Sequence, residues 1–339
     1  MDPLTQGIVG AVFTGGLAPR QEARAAALIG FLTGMLADLD VVISRAGDPM
    51  FSILIHRHFT HALVFIPIGG LVGALVLWPF FRRRFSFRRL LLFATAGYAT
   101  AGVIDACTSY GTYLYWPFSD RRVAWDLISI IDPLFTGVLL ALLGVAVIRR
   151  RPRAARYGIL FVLIYLSIGL VQRERAVTAV RQIAEVRGHA VERVTAKPTL
   201  FNLLLWRTLY DTGEAISVDA IRVGWGPPQV FPGGRVDKFE PGDMAADIPP
   251  DSAQARDIRR FTHFADGWVA PHPDRPRMVG DLRYGTLPNS VRPIWGLQLN
   301  PRNPDRHAPF VHLREADREM LLTFLRMVGG RIRTVEEAS

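Results

Sequence analysis

The chain has a single cysteine, Cys107. No intrachain disulfide can form, so any part folded outside a cell must be stable without one. A zinc site built from several thiolates is excluded as well. Lysine is nearly as scarce, occurring only at Lys197 and Lys238, and arginine carries almost all of the positive charge. No base precedes Arg20. A secretory signal peptide needs a basic segment ahead of its apolar run, so the first apolar segment is expected to be retained as a helix. Beyond about residue 172 there is no further run apolar enough to cross a bilayer, and no internal repeat or low-complexity tract stands out.

Half of the 339 residues are hydrophobic, although 21% are charged, and the mean hydropathy is +0.20. A formal charge of +10 and a pI near 10.4 would suit a nucleic-acid binder. Much of the arginine, however, clusters at the ends of apolar runs, where it sets membrane topology, and nucleic acid is not an expected partner. A bilayer core takes about 20 apolar residues per helix. Candidate runs lie at roughly 4–18, 25–43, 60–81, 90–108, 128–148 and 156–172. Arg20 and Arg24 follow the first run. Arg82, Arg83, Arg84, Arg88 and Arg89 follow the third, and Arg149, Arg150, Arg151, Arg153 and Arg156 follow the fifth. Basic loops stay in the cytoplasm. All three can do so only if both termini, and the loops near 44–59 and 109–127, face outward. The expected architecture is an α-helical integral membrane domain of about six helices over 1–172. A smaller extracytoplasmic α+β or β-rich domain over 173–339 would follow it.

Ionisable side chains inside apolar runs cost a few kcal/mol and usually have a partner or a role. Asp38 and Asp40 lie in the second run, Asp105 in the fourth and Asp132 in the fifth, with Asp2 just before the first. His56, Arg57, His58, Thr60 and His61 precede the body of the third. The expected topology brings all of them to the outer level. Carboxylate plus imidazole is the donor set of hydrolytic zinc, manganese or iron centres. Such a metal lowers the pKa of its bound water and polarises an ester or phosphoryl oxygen, and Arg57 could stabilise developing negative charge.

The spacing adds detail. Residues i and i+2 of an α-helix point about 200° apart, so Asp38 and Asp40 can serve one centre only if the helix ends there. His58 and His61 share a helical face, whereas His56 joins His61 if Thr60 caps the third helix and 56–59 is loop. Structural readings stand beside the functional ones. Asp38 and Asp40 can close a helix near the headgroups, Asp105 can be purely structural, and Asp132 before Pro133 can start a helix. Arg57 can bind lipid phosphate, His58 can be a neighbour rather than a ligand, and Tyr115 and Trp116 can belong to an interfacial aromatic belt.

Taken together these segments resemble the bacterial membrane-bound, predicted metal-dependent hydrolases, a family known from a LexA-regulated inner-membrane member. The matching pieces are 1–6, Asp38-Leu39-Asp40, the run from His56 to His61, and Asp105 with Thr108-Ser109-Tyr110-Gly111-Thr112. Trp116-Pro117-Phe118-Ser119, Ile131-Asp132-Pro133, 198–202 and 281–285 also match. The likeness is continuous over the membrane part and patchy in the tail. It implies a site with Asp38, Asp40, His56, His61 and Asp105 as metal ligands and Arg57 and Thr60 as catalytic helpers. Asp2, Gln6, His58, Ser109 and Asp132 are further members of the shell. Gln6 stands where many members carry histidine, and Ala62 where serine is common.

In the tail, 173–188 is expected to be helical, continuing the sixth run. Runs 203–210, 215–223 and 295–299 read as strands, 226–228 and 231–234 as turns, 240–256 as a surface loop or short helix, and 315–328 as a closing helix. His263, His272, His307 and His312 lack metal spacing and are expected to be surface or packing residues. The function expected is a metal-dependent hydrolase of the bacterial inner membrane, with zinc or manganese as cofactor. Its site would face the outer side, and its partners would be membrane lipids or a lipid-linked phosphate ester. An ion-coupled carrier and a non-catalytic envelope scaffold remain the alternatives.

Overall fold

The computed structural model describes residues 1–239, 247–313 and 317–330. Side chains at the starts of helices fix where several begin. Asp2 accepts the Thr5 N–H at 2.9 Å and Pro3 presets the first turn of α1 (Pro3–Leu17). After α2 (Ala23–Gly34) the chain tightens into a 3₁₀ segment, Leu36–Val42. A short α3 (Phe51–Ile55) and two 3₁₀ turns, Phe59–His61 and Leu63–Phe65, lead into α4 (Ile66–Phe81). Ser86 caps α5 (Phe87–Ala106) and Asp132 caps α6 (Pro133–Ile148), while α7 runs unbroken over Pro152–Val186.

Each of the six apolar runs therefore lies on a helix. Among the described residues, three segments are candidate spans by length and hydropathy, Ala23–Val42, Leu63–Phe81 and Pro152–Val186, with Pro133–Ile148 apolar but shorter. The helix α1 is too short to be one of them, and nearly all of it from Thr5 to Gly16 is buried. It packs closely on α2 because Gly10 and Gly30 face each other. A Cβ on Gly30 would lie 2.4 Å from the Gly10 carbonyl oxygen, the close approach that small residues permit between membrane helices. Rows of leucine, isoleucine and valine on α4 and α7 are exposed, as a lipid-facing surface would be.

The three arginine-rich loops meet at one end of this helical unit. Arg20 donates to the Arg150 carbonyl, Arg24 to that of Ile148, Arg84 to that of Gln21, and Arg89 pairs with Glu22 at 2.7 Å. Asp105 sits in the last turn of α5, sixteen residues beyond Arg89. At 1.5 Å per residue that is about 24 Å away along the helix axis.

The first compact unit holds 1–44, 52–170 and 200–202. The second holds 45–51, 171–199 and the described residues from 203 on. The second unit is rich in β-sheet. Strands β1 (Arg193–Pro198), β2 (Leu205–Asp211), β3 (Ala215–Arg222) and β4 (Gln229–Phe231) pair antiparallel in that order, and β5 (Arg235–Asp237) also pairs with β3. A second antiparallel sheet runs β6 (Val269–Pro271), β7 (Met278–Asp281), β8 (Trp295–Gln298), β9 (Phe310–His312). Leu209, Ile216 and Val218 of the first sheet share one core cluster with Trp268, Ala270 and Leu282.

Buried Arg207 ties this unit internally, donating to the carbonyls of Leu282, Leu287 and Pro288. Burial pulls its pKa down to about 9, against the pull of Asp281, so it stays charged at neutral pH. Ser252 caps α8 (Ala253–Phe264), which takes up the end of the stretch expected as loop or short helix, while 240–246 lie outside the described residues. The expected closing helix is α9 (Arg318–Gly329), ended by left-handed Gly330. Its expected start at Glu315 lies outside the described residues.

Candidate metal centre

The change from α-helix to 3₁₀ after Gly34 lets Asp38 and Asp40 serve the same group. They flank one imidazole. Asp38 Oδ1 is 3.2 Å from His61 Nε2, and Asp40 Oδ2 is 3.5 Å from His61 Nδ1. Asp105, from the end of α5, places Oδ2 3.2 Å from the same Nε2. All four residues are buried, and Asp105 has no exposed surface. The approach of His61 to α5 depends on Gly102, where a Cβ would lie 2.1 Å from the His61 carbonyl oxygen.

Asp40 and Asp38 have different surroundings. Asp40 Oδ1 faces His56 Nδ1 at 2.8 Å. Its Oδ2 accepts the Arg57 N–H at 2.9 Å and the Thr60 hydroxyl at 2.5 Å. With its proton given to Asp40, the Thr60 oxygen can accept from His61 Nδ1, 3.0 Å away. With its proton on Nδ1, His61 turns the Nε2 lone pair toward Asp38 and Asp105, the form that metal ligation requires, whereas a charged ring would donate from Nε2 to those two carboxylates. Thr60 does not cap the third helix as expected. Its hydroxyl is engaged by Asp40, and α4 begins only at Ile66, with Pro67 in its first turn.

Buried oxygens without a hydrogen bond gather on the Nε2 side, both of Asp38 and Oδ2 of Asp105, and Gln6 Oε1 lacks one as well while its amide nitrogen faces the ring. The Gln6 side chain reaches within 3.5 Å of His61 Nε2. A buried carboxylate oxygen left without a hydrogen bond costs about 1–3 kcal/mol or more, and both Asp38 oxygens are in that state, so the cluster can take a cation beyond those the chain supplies. Two donors about 2.0 Å from one tetrahedral ion lie about 3.3 Å apart. The 3.2 Å separations from Nε2 to Asp38 and to Asp105 match that edge. Asp38, His61 and Asp105 therefore fit a metal, and Asp38, Asp40 and His56 form a second, overlapping group of ligand atoms.

Two cationic groups share the site. Arg57 Nε lies 3.1 Å from Asp105 Oδ2 and 4.0 Å from Asp38 Oδ1, and the α-amino group of Met1 pairs with Asp105 Oδ1. Burial works against the charge on Arg57, but Asp105 and Asp38 outweigh it and hold the guanidinium pKa above its ordinary value. Arg57 has φ +60, a strained conformation for a non-glycine residue. It is held there by Thr112 and Tyr113, which both donate to its carbonyl.

Other expected members of the shell lie elsewhere. Asp2 and Asp132 cap α1 and α6, and Asp132 also accepts the Tyr165 hydroxyl at 2.7 Å. His58 packs its ring against Tyr113 and Trp116, with centroids at 4.6 and 5.7 Å, and burial together with Arg122 lowers its pKa. Ser109 is buried in the turn after α5. Of the tail histidines, His307 pairs with Asp257 at 3.0 Å and His272 is buried.

Sequence reasoning missed Tyr98, Gly102 and Arg122. The Tyr98 hydroxyl donates to the Thr60 carbonyl, and Arg122 donates to that of His56. Tyr98 and Gly102 precede Asp105 by seven and three residues, one face of a helix, and that stripe was a signal open to reading.

Residues 1–176 match the family model described as YdjM inner membrane protein. The chain is 26% identical over 195 residues to YfhP of Bacillus subtilis, an uncharacterized protein, covering 57% of this chain and 58% of that one. It is 30% identical over 105 residues to the inner membrane protein YbcI of Escherichia coli, covering 30% of this chain and 60% of the relative. The matched part thus spans about three-fifths of each relative. No solved structure matches.

Proposed function

Because the chain belongs to the YdjM inner membrane protein family, we propose that it is an inner-membrane, metal-dependent hydrolase whose centre is Asp38, His61 and Asp105. The observation that carries this reading is the set of buried carboxylate oxygens of Asp38 and Asp105 that lack hydrogen bonds beside Nε2 of His61. Asp40 is assigned a supporting role, because both its oxygens already accept hydrogen bonds. Through Thr60 it orients His61, as outer carboxylates orient metal-binding histidines. Gln6 completes the shell once its amide turns its oxygen inward, a turn that exchanges two atoms of nearly the same size.

A divalent ion, zinc or manganese, would supply an activated water and polarise the scissile ester. His56, whose Nδ1 faces Asp40, keeps Nε2 for taking up a proton, and its side chain is partly exposed where the others are buried. Arg57 is placed to offset negative charge developing on the substrate. The centre lies at the end of α5 away from the basic loops. By the positive-inside rule that end faces outward, so six crossings, outward termini and a lipid or lipid-linked phosphate ester are part of the proposal.

The test is elemental analysis of detergent-purified protein, wild type beside His61→Ala and Asp105→Asn. Near-stoichiometric zinc, manganese or iron in the wild type, lost in both variants at unchanged elution volume, supports the reading. Absence of metal from folded wild type purified without chelators overturns it and leaves a buried ion-pair network around Arg57, the arrangement an ion-coupled carrier would need.

A further inference from the structure

Among the described residues, the loop between β3 and β4 carries the most exposed large hydrophobic side chain. Trp225 is fully exposed, in the sequence Gly224-Trp225-Gly226-Pro227-Pro228. A tryptophan in water on a mobile loop would carry little meaning, but this loop is braced on both sides. From α7, Gln172 Nε2 donates to the Val223 carbonyl at 2.9 Å. Arg175 donates through Nη1 to the Gly224 carbonyl at 2.5 Å and through Nη2 to that of Gly226 at 2.7 Å. On the other side, the strand ends that flank the loop reach the end of α9: Arg222 Nε donates to the Val328 carbonyl, and Gln229 Nε2 donates to that of Gly330. Two prolines stiffen the exit of the loop.

The bracing residues of α7 lie at a boundary in its sequence. The apolar run of this candidate span ends at Val171, itself 59% exposed, and Gln172-Arg173-Glu174-Arg175 follow. Gln172 and Arg175 lie three residues apart, about 5 Å along the helix axis. The carbonyls they hold bracket Trp225, so the loop backbone is tied to the stretch of α7 where apolar sequence gives way to charge. Indole is favoured at that level of a bilayer, where its ring meets the acyl boundary and its N–H meets headgroups.

We propose that the β3–β4 loop is a membrane-interface anchor: Trp225 inserts among the lipid headgroups beside the end of the α7 apolar run. The partner is the lipid surface itself. The anchor rests on α7 crossing the bilayer and is independent of any metal chemistry.

The test uses the full chain in lipid nanodiscs with Cys107→Ala and single nitroxide-labelled cysteines at Trp225→Cys, Leu163→Cys and Arg302→Cys. Leu163, in the apolar run of α7, reports lipid, and Arg302, exposed in the tail, reports water. The expected result is a label at 225 that is at least about fivefold less accessible to a water-soluble nickel reagent than the label at 302, with an oxygen-to-nickel accessibility ratio between those at 302 and 163. Nickel accessibility at 225 equal to that at 302 overturns the proposal. So does a label shielded from both reagents, which would mean that protein covers it. A second readout avoids labelling: lipids brominated near the headgroup should quench wild-type tryptophan fluorescence more than that of Trp225→Ser, and equal quenching overturns the anchor.

Discussion

The carboxylates of Asp38 and Asp40, two residues apart in the chain, meet opposite nitrogens of one imidazole, with Asp38 at 3.2 Å from Nε2 and Asp40 at 3.5 Å from Nδ1 of His61. The pair thus divides the work. Asp40 holds the ring and the loop around it, and Asp38 keeps both oxygens free of hydrogen bonds on the side where an ion would sit.

That division separates two variants. Asp38→Asn should abolish metal binding. Asp40→Asn keeps the ligands but loses the charge that orients Thr60 and His61, and it should weaken metal affinity by about 10–100-fold. Titration against a fluorescent chelator measures both. Equal loss in the two variants would place Asp40 among the direct ligands.

Gln6 has no exposed surface, and its side chain reaches His61 Nε2. Gln6→His offers a ring nitrogen in place of an amide oxygen and should raise zinc affinity by about tenfold, since imidazole suits zinc better than an amide carbonyl does. Gln6→Leu removes the donor and should lower it. The same chelator titration reads both changes, and no change in either variant would remove Gln6 from the shell.

Gly102→Ala tests how α5 receives the site loop. The added methyl would meet the His61 carbonyl oxygen at 2.1 Å, a backbone atom that cannot swing aside. Overpacking of this kind costs about 1–3 kcal/mol. The expected outcome is a lower melting temperature together with weakened metal binding. Gly137→Ala, where an added Cβ meets nothing within 4 Å, serves as control.

In the second unit, Arg207→Met should destabilise the sheets without altering the proposed metal centre. It leaves the carbonyls of Leu282 and Pro288 without the donor they share, while that of Leu287 keeps the Ser290 N–H. Each carbonyl left buried and unsatisfied costs about 1–3 kcal/mol. Limited proteolysis should cut the tail of the variant faster, while metal content stays at the wild-type value.

Sequence alone determined where the helices lie. Apolar runs bounded by arginine, proline and capping aspartates state their limits locally, and Asp2, Ser86 and Asp132 cap the helices that follow them. It also singled out the acids and histidines, because a charge in an apolar run is conspicuous without any structure. The strands from Leu205 to Arg222 were legible for a similar reason, as β-prone runs separated by a Gly-bearing turn. Tertiary structure alone decided which of the singled-out residues meet. Asp2 and Asp132 looked equivalent to Asp38 and Asp105 in sequence, yet the first pair closes onto neighbouring backbone N–H groups, while the second pair reaches His61. The physical reason is that capping depends on residues three positions away, whereas convergence on one imidazole depends on how α2, α5 and the loop before α4 pack. That packing in turn rests on contacts as distant as Gly102 against His61 and Tyr98 against Thr60.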